Sequence, residues 1–408
     1  MIIRALLCLL LFTTVTVAQQ TQPIRKSIET STRSIRKDVP LTNSIRRAFD
    51  AGTRDFTGKP GPNYWQLETD FYINARLDPA TQTITGSEKI VIHNNSKDNL
   101  RTLALRLDHN IFRADVPRGS STPAETTDGM IVTRIKIAGK EVDLKAAPAG
   151  RNEAPKLAVI NLNRTVATLI LDAPINAGTT AELEIDWHTK LPGGTNGRGH
   201  RMTQRFDSKL FQPTQWFPRL AKYDDLRGWE VSPYLGPAEF FNNFGKFDVH
   251  LTVPGGWIVT ATGVLQNPNE VLTETTRQRL ATILTSNNEI TLVGENETRT
   301  AAGEKLTWHF VADKVNDFAW ATAENFIWKA TRATIPGKGP VPIYMVYLPE
   351  RAKYFEKAGE ITRHALEYYS NLWAPYPFPQ LTLQDGPSAG MEYPMVINSN
   401  QGAADHEA

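Results

Sequence analysis

From residue 64 onward, hydrophobic and polar residues alternate with a period of two. Leu67, Thr69, Phe71, Ile73, Ala75 and Leu77 fall on one side, and Gln66, Glu68, Asp70, Tyr72, Asn74 and Arg76 on the other, the pattern of a strand with one face in a core and one in water. The alternation returns over 84–92, 103–107, 167–171, 183–187 and 247–253, with turns such as Asp78-Pro79 and Asn94-Asn95-Ser96 between the runs. These segments predict a large antiparallel β domain over residues 61–348.

The period changes beyond Pro336-Gly337-Lys338-Gly339-Pro340. One more strand is expected over 341–348. Pro349-Glu350 then opens a helix whose apolar positions Phe355, Ala358, Ile361, Ala365, Tyr369 and Leu372 step by three or four, until Pro375 and Pro377 end it. Leu381-Thr382-Leu383 reads as a short strand running into Gly386. The expected fold class is thus multidomain, β plus α/β, with a mixed second domain over 349–408. Residues 19–60 are polar, with Arg25-Lys26, Arg36-Lys37 and Arg46-Arg47 among Ser and Thr, and read as a linker with a short helix after Asn43-Ser44.

Composition narrows the setting. Over 408 residues, 40% hydrophobic, 22% charged and a net charge of +2 describe an ordinary globular chain without the basic stripe that neutralises phosphates, so no nucleic acid is expected as partner. Residues 1–18 carry Arg4, an apolar core over 5–17 and a small-residue exit at Thr16-Val17-Ala18, the form of a cleavable export signal. That core falls short of the roughly 20 apolar residues of a bilayer span, and no later segment reaches that length. The chain is therefore expected to be exported (periplasmic, extracellular or surface-associated), with no membrane span after signal cleavage. Its single cysteine, Cys8, lies within the signal, which excludes a disulfide framework or thiolate metal site from the mature protein.

Candidate chemistry collects at the C-terminal end. Asp405-His406-Glu407-Ala408 contains the first half of H-E-x-x-H, in which two His one helical turn apart ligate zinc and the Glu acts as base. Asn398-Ser399-Asn400 offers a cap for a helix carrying that pair. Glu392, beside Gly390, falls at a strand edge where a carboxylate can receive a peptide's α-ammonium while backbone pairs with backbone. The same stretch also fits G-x-S-x-G in Gly386-Pro387-Ser388-Ala389-Gly390, the strand-to-helix elbow of serine hydrolases. Pro394 interrupts the helix that this elbow requires, and the long β-rich leader is foreign to that fold. The other His, at 93, 109, 188, 200, 250, 309 and 364, have no second His at i+4 and read as structural or surface residues.

Gly390-Met391-Glu392-Tyr393-Pro394-Met395 resembles the G-x-M-E-N motif of the aminopeptidase N family of zinc metallopeptidases, the gluzincin aminopeptidases, with Tyr393 where many members have Asn. The approach Tyr376-Pro377-Phe378-Pro379-Gln380-Leu381 is similar to that family's. So are Gln215-Trp216-Phe217-Pro218-Arg219 with Tyr223-Asp224-Asp225, and Gly236-Pro237-Ala238-Glu239-Phe240-Phe241 with Phe244-Gly245-Lys246-Phe247-Asp248-Val249. The resemblance covers about residues 60–408 and implies an N-terminal β domain followed by the start of a thermolysin-like catalytic domain.

That resemblance implies roles residue by residue. Glu392 would bind the N-terminal amine of a peptide substrate, Gly390 and Met391 would hold its backbone, and Gln215, or alternatively Gln212, would assist at the amine. His406 would be the first ligand of one zinc ion and Glu407 the general base. The family's second His, its third-ligand Glu and its oxyanion Tyr have no counterpart in these 408 residues, so the motif is cut within H-E-x-x-H and this chain is expected to bind zinc negligibly and to be inactive. Only 13 residues, Tyr393 to Asp405, separate the two motifs, fewer than is usual in the family: either the loop is short, or His406 is not the ligand. The expected function of the intact protein is zinc-dependent removal of N-terminal residues from peptides. The alternatives are a noncatalytic peptide-binding or scaffold relative, and a serine hydrolase using Ser388.

Overall fold

The computed structural model describes residues 40–119, 125–193, 204–206, 209–386 and 390–399. The export signal with Cys8, Ser388, His406 and Glu407 lie outside the described residues.

The architecture is mostly β, with few helices. An eight-stranded sheet has the spatial order Val264–Leu265, Lys305–Val315, Gly245–Pro254, Glu68–Asp78, Thr83–His93, Thr180–Lys190, Met130–Ile137, Lys140–Glu141. The predicted alternation sets its face: Leu67, Phe71, Ile73, Ala75 and Leu77 are buried, while Glu68, Asn74 and Arg76 are exposed. All its neighbours pair antiparallel except Glu68–Asp78 with Gly245–Pro254, which run parallel. That pair joins residues far apart in sequence, and no local pattern announces it. A second layer is built from two four-stranded sheets. Leu103, Leu105, Leu169, Trp216, Phe217, Phe247, Trp308 and Trp320 meet in the shared core.

Part of the polar 40–60 stretch is docked. Thr42 caps the helix Asn43–Asp50 through its hydroxyl, and Ala48 is buried. Arg54 then grips Asp225 with two guanidinium hydrogen bonds of 2.9 and 2.8 Å, while the Thr53 hydroxyl donates to the same carboxylate at 2.6 Å.

A mixed six-stranded sheet carries the region of interest, in the order Ile290–Val293, Ile327–Ile335, Gly339–Tyr347, Leu381–Gln384, Val396–Asn398, Met391–Tyr393. Gly339–Tyr347 pairs parallel with Leu381–Gln384, so one sheet contains strands from both sides of residue 349. The expected single helix from 349 forms in two pieces, a 3-10 turn Pro349–Phe355 and an α-helix Ala358–Leu372. The helix ends at Leu372, ahead of Pro375, and packs on Ile327–Ile335 and Gly339–Tyr347. Its last turn overhangs the sheet: Tyr369 and Leu372 are 58% and 56% exposed, although they share the apolar spacing. No helix among the described residues is long and apolar enough to cross a membrane.

Candidate functional site at the sheet edge

The chain crosses Leu381–Gln384, leaves the sheet at Asp385-Gly386, and returns as a hairpin in which Met391–Tyr393 pairs antiparallel with Val396–Asn398. The two-residue connection Pro394-Met395 places Met395 at φ 64°. Among the described residues, Met391–Tyr393 is the outermost strand of this sheet. Alternation sends Met391 and Tyr393 inward, where they pack with Val396 and Ala319, and sends Glu392 outward, exposed, opposite Ile397. Gly390 has φ 68°, and no described residue comes within 4 Å of where a Cβ would sit.

Three sets of buried polar contacts seat this hairpin on the β domain. The Thr260 hydroxyl donates to Gln384 Oε1 at 2.8 Å, and Gln384 Nε2 donates to Asn398 Oδ1 at 2.9 Å. Gln380 Nε2 donates to the carbonyls of Ala261 and Gly263, and the Thr382 hydroxyl donates back to Gln380 Oε1. The Thr262 hydroxyl donates to the carbonyl of Pro394 at 3.0 Å and accepts from the amide of Ala319. Sequence reasoning offered Asn398 as a helix cap; it ends a strand instead, with its side chain held by Gln384. The helix expected from Gln401 lies outside the described residues.

The Gln215-Trp216-Phe217-Pro218-Arg219 stretch is core. Trp216 Nε1 donates to the carbonyl of Phe318 at 2.9 Å, Gln215 Nε2 donates to Asp317 Oδ2 at 3.0 Å, and Arg219 Nη2 lies 3.2 Å from Asp317 Oδ1. Residues 317–319, thereby fixed, support the inner face of the hairpin through Ala319. Gln215, at φ 48° and 1% exposed, spends its amide NH₂ on this pairing.

Gln212 behaves differently. It is fully buried, neither atom of its side-chain amide has a hydrogen-bond partner, and it lies against Gly386 at the strand exit leading toward Gly390. A buried amide without a partner costs about 1–3 kcal/mol.

Two titratable groups are strongly perturbed here. Burial pushes the Asp385 carboxyl up to about 6, against the opposing effect of Arg351, whose Nε donates to Asp385 Oδ1 at 2.7 Å. Burial lowers His109 to about 4; its Nδ1 is 2.8 Å from the Thr189 hydroxyl and its Nε2 is 3.1 Å from the carbonyl of Thr214, in the loop between Gln212 and Gln215.

No family model matches the chain, and no curated protein matches it in sequence. Its fold is similar to that of a two-domain M1 zinc metallopeptidase, a glutamate-to-alanine mutant solved with L-tryptophan, at a TM-score of 0.50 and 12% identity, covering 84% of this chain and 62% of that one. The likeness is one of fold. The M1 zinc metallopeptidase from Deinococcus radiodurans also matches, as a glutamate-to-alanine mutant bound to a Tyr-Ser-Ala substrate (TM-score 0.47, 12% identity, 85% and 62% covered) and in another crystal structure (TM-score 0.46, 13% identity, 83% and 60% covered). The chain thus spans less than two thirds of the length of these proteins.

The serine-hydrolase elbow finds no support in this geometry. A nucleophile elbow leads from strand into helix, whereas the chain after Gly390 enters the hairpin Met391–Asn398.

Proposed function

We propose that this chain is the substrate-receiving part of a zinc aminopeptidase, a distant relative of the M1 zinc metallopeptidases. The observation that carries the reading is the exposed carboxylate of Glu392 at the centre of Met391–Tyr393, the outermost strand of the sheet among the described residues. An extended peptide can add to that edge as a further strand, and a carboxylate beside its first residue selects a free α-ammonium.

Gln215, or alternatively Gln212, assists at the amine through its side-chain oxygen. An α-ammonium only donates, and the buried Oε1 of each glutamine has no hydrogen-bond partner among the described residues, the bond from Gln215 Nε2 to Asp317 orienting that amide without using its oxygen.

Glu407 acts as base and His406 as first metal ligand in the intact enzyme, where zinc would supply activated water. The described residues bring no ligand set together at the hairpin, so the residues at hand are assigned binding and orientation alone.

The test is calorimetric titration of the chain with a tripeptide carrying a free N-terminus and with its N-acetyl derivative. Acetylation and E392Q should each weaken binding about tenfold or more, the range of a lost charge-assisted hydrogen bond. Equal affinity for the two peptides would overturn the reading.

A further inference from the structure

We infer that the outer face of the eight-stranded sheet carries a second, independent cation site, built from Asp248, His250 and His309, for a divalent transition metal of the zinc class. The three side chains converge because of strand register. His250 on Gly245–Pro254 stands directly opposite His309 on Lys305–Val315, and Asp248, two residues before His250, shares its face. Phe247, Val249 and Leu251 point into the core between them.

One potential ligand atom from each of the three lies within 4.8 Å of the others. His309 Nε2 is 2.8 Å from Asp248 Oδ1, His250 Nδ1 is 3.9 Å from the same oxygen, and the imidazoles stack with centroids 4.0 Å apart. Small rotations of these partly exposed rings would bring the three donors to the roughly 3.4 Å separation of ligands around tetrahedral zinc. Two imidazoles and one carboxylate suit zinc, nickel, cobalt or copper, whereas calcium and magnesium call for oxygen donors.

Lys246 pairs with the other carboxylate oxygen, Oδ2, at 3.5 Å, a like charge that a bound cation displaces toward solvent, and Oδ1 faces the histidines. Asn267 accepts from the backbone amide of His309 at 3.0 Å and donates to Glu270 at 2.8 Å, which holds a further carboxylate near the rim. The site makes no use of Glu392 or His406 and does not depend on the peptidase reading.

Tag-free protein titrated with Zn²⁺, and separately with Ni²⁺, should bind one equivalent. H250Q, H309Q and D248N should each weaken that binding about tenfold or more, while H364Q, on the exposed face of the helix Ala358–Leu372, leaves it unchanged. Absence of binding, or affinity undiminished in the H250Q H309Q double variant, would refute the site. A second readout uses the unaltered chain: zinc should protect His250 and His309 from diethylpyrocarbonate but not His93, whose partner at 2.9 Å is the single carboxylate of Asp70. Equal modification with and without zinc would also refute it.

Discussion

The side-chain amide of Gln212 lies against the backbone of Gly386, so close that a Cβ at position 386 would come within 2.2 Å of it. One residue belongs to the β domain and the other to the strand exit before the hairpin, and glycine is what lets them meet. G386A should cost about 1–3 kcal/mol in urea unfolding, as overpacked sites do. Adding Q212A should return part of that loss, because removing the amide removes the clash. A double variant no more stable than G386A would count against this contact.

The Thr260, Gln384, Asn398 relay ties the hairpin to the β domain. Q384L strands a hydroxyl at one end and an amide at the other, so a loss of about 2–4 kcal/mol is expected from two desolvated groups. Hydrogen exchange should report it as faster exchange across 391–398 than across Glu68–Asp78, and uniform acceleration would exclude a local role.

Asp385 makes the chain less stable as pH rises. Its folded pKa of about 6 lies above the ordinary carboxyl value of 3.8, so between these values the unfolded state releases a proton that the folded state keeps. Wild-type stability should therefore fall relative to D385N by about 2.4 kcal/mol between pH 4 and pH 7. Denaturant titrations at the two pH values decide it, and a constant difference would contradict the shift.

His109 acts in the opposite sense over nearly the same window. Its folded pKa, about 4, lies below the ordinary imidazole value of 6.5, so stability present above pH 6.5 is lost as pH falls toward 4. The loss should approach about 3 kcal/mol relative to H109Q. Parallel pH profiles for the two proteins would rule out a neutral buried imidazole.

The strands were legible because a half-buried sheet imposes its period on the residues themselves, as Leu67 to Leu77 show. Pairing partners were not. Nothing near His250 announces His309, since the residues meet only through the register of two strands distant in sequence. Glu392 could be placed at a strand edge from its neighbours, but the hold of Asp317 on Gln215, from 102 residues further along the chain, could not. The helix overhang at Tyr369 and Leu372 was equally hidden, because periodicity gives a face and not the length of the sheet beneath it.

The outermost strand is three residues long, Met391–Tyr393, which at about 3.3 Å per residue makes a ruler of roughly 10 Å. A peptide laid along it meets at most three residues of this strand. Affinity should therefore climb with peptide length up to about a tripeptide and then level off, so that this edge measures the beginning of a chain and is indifferent to its extent.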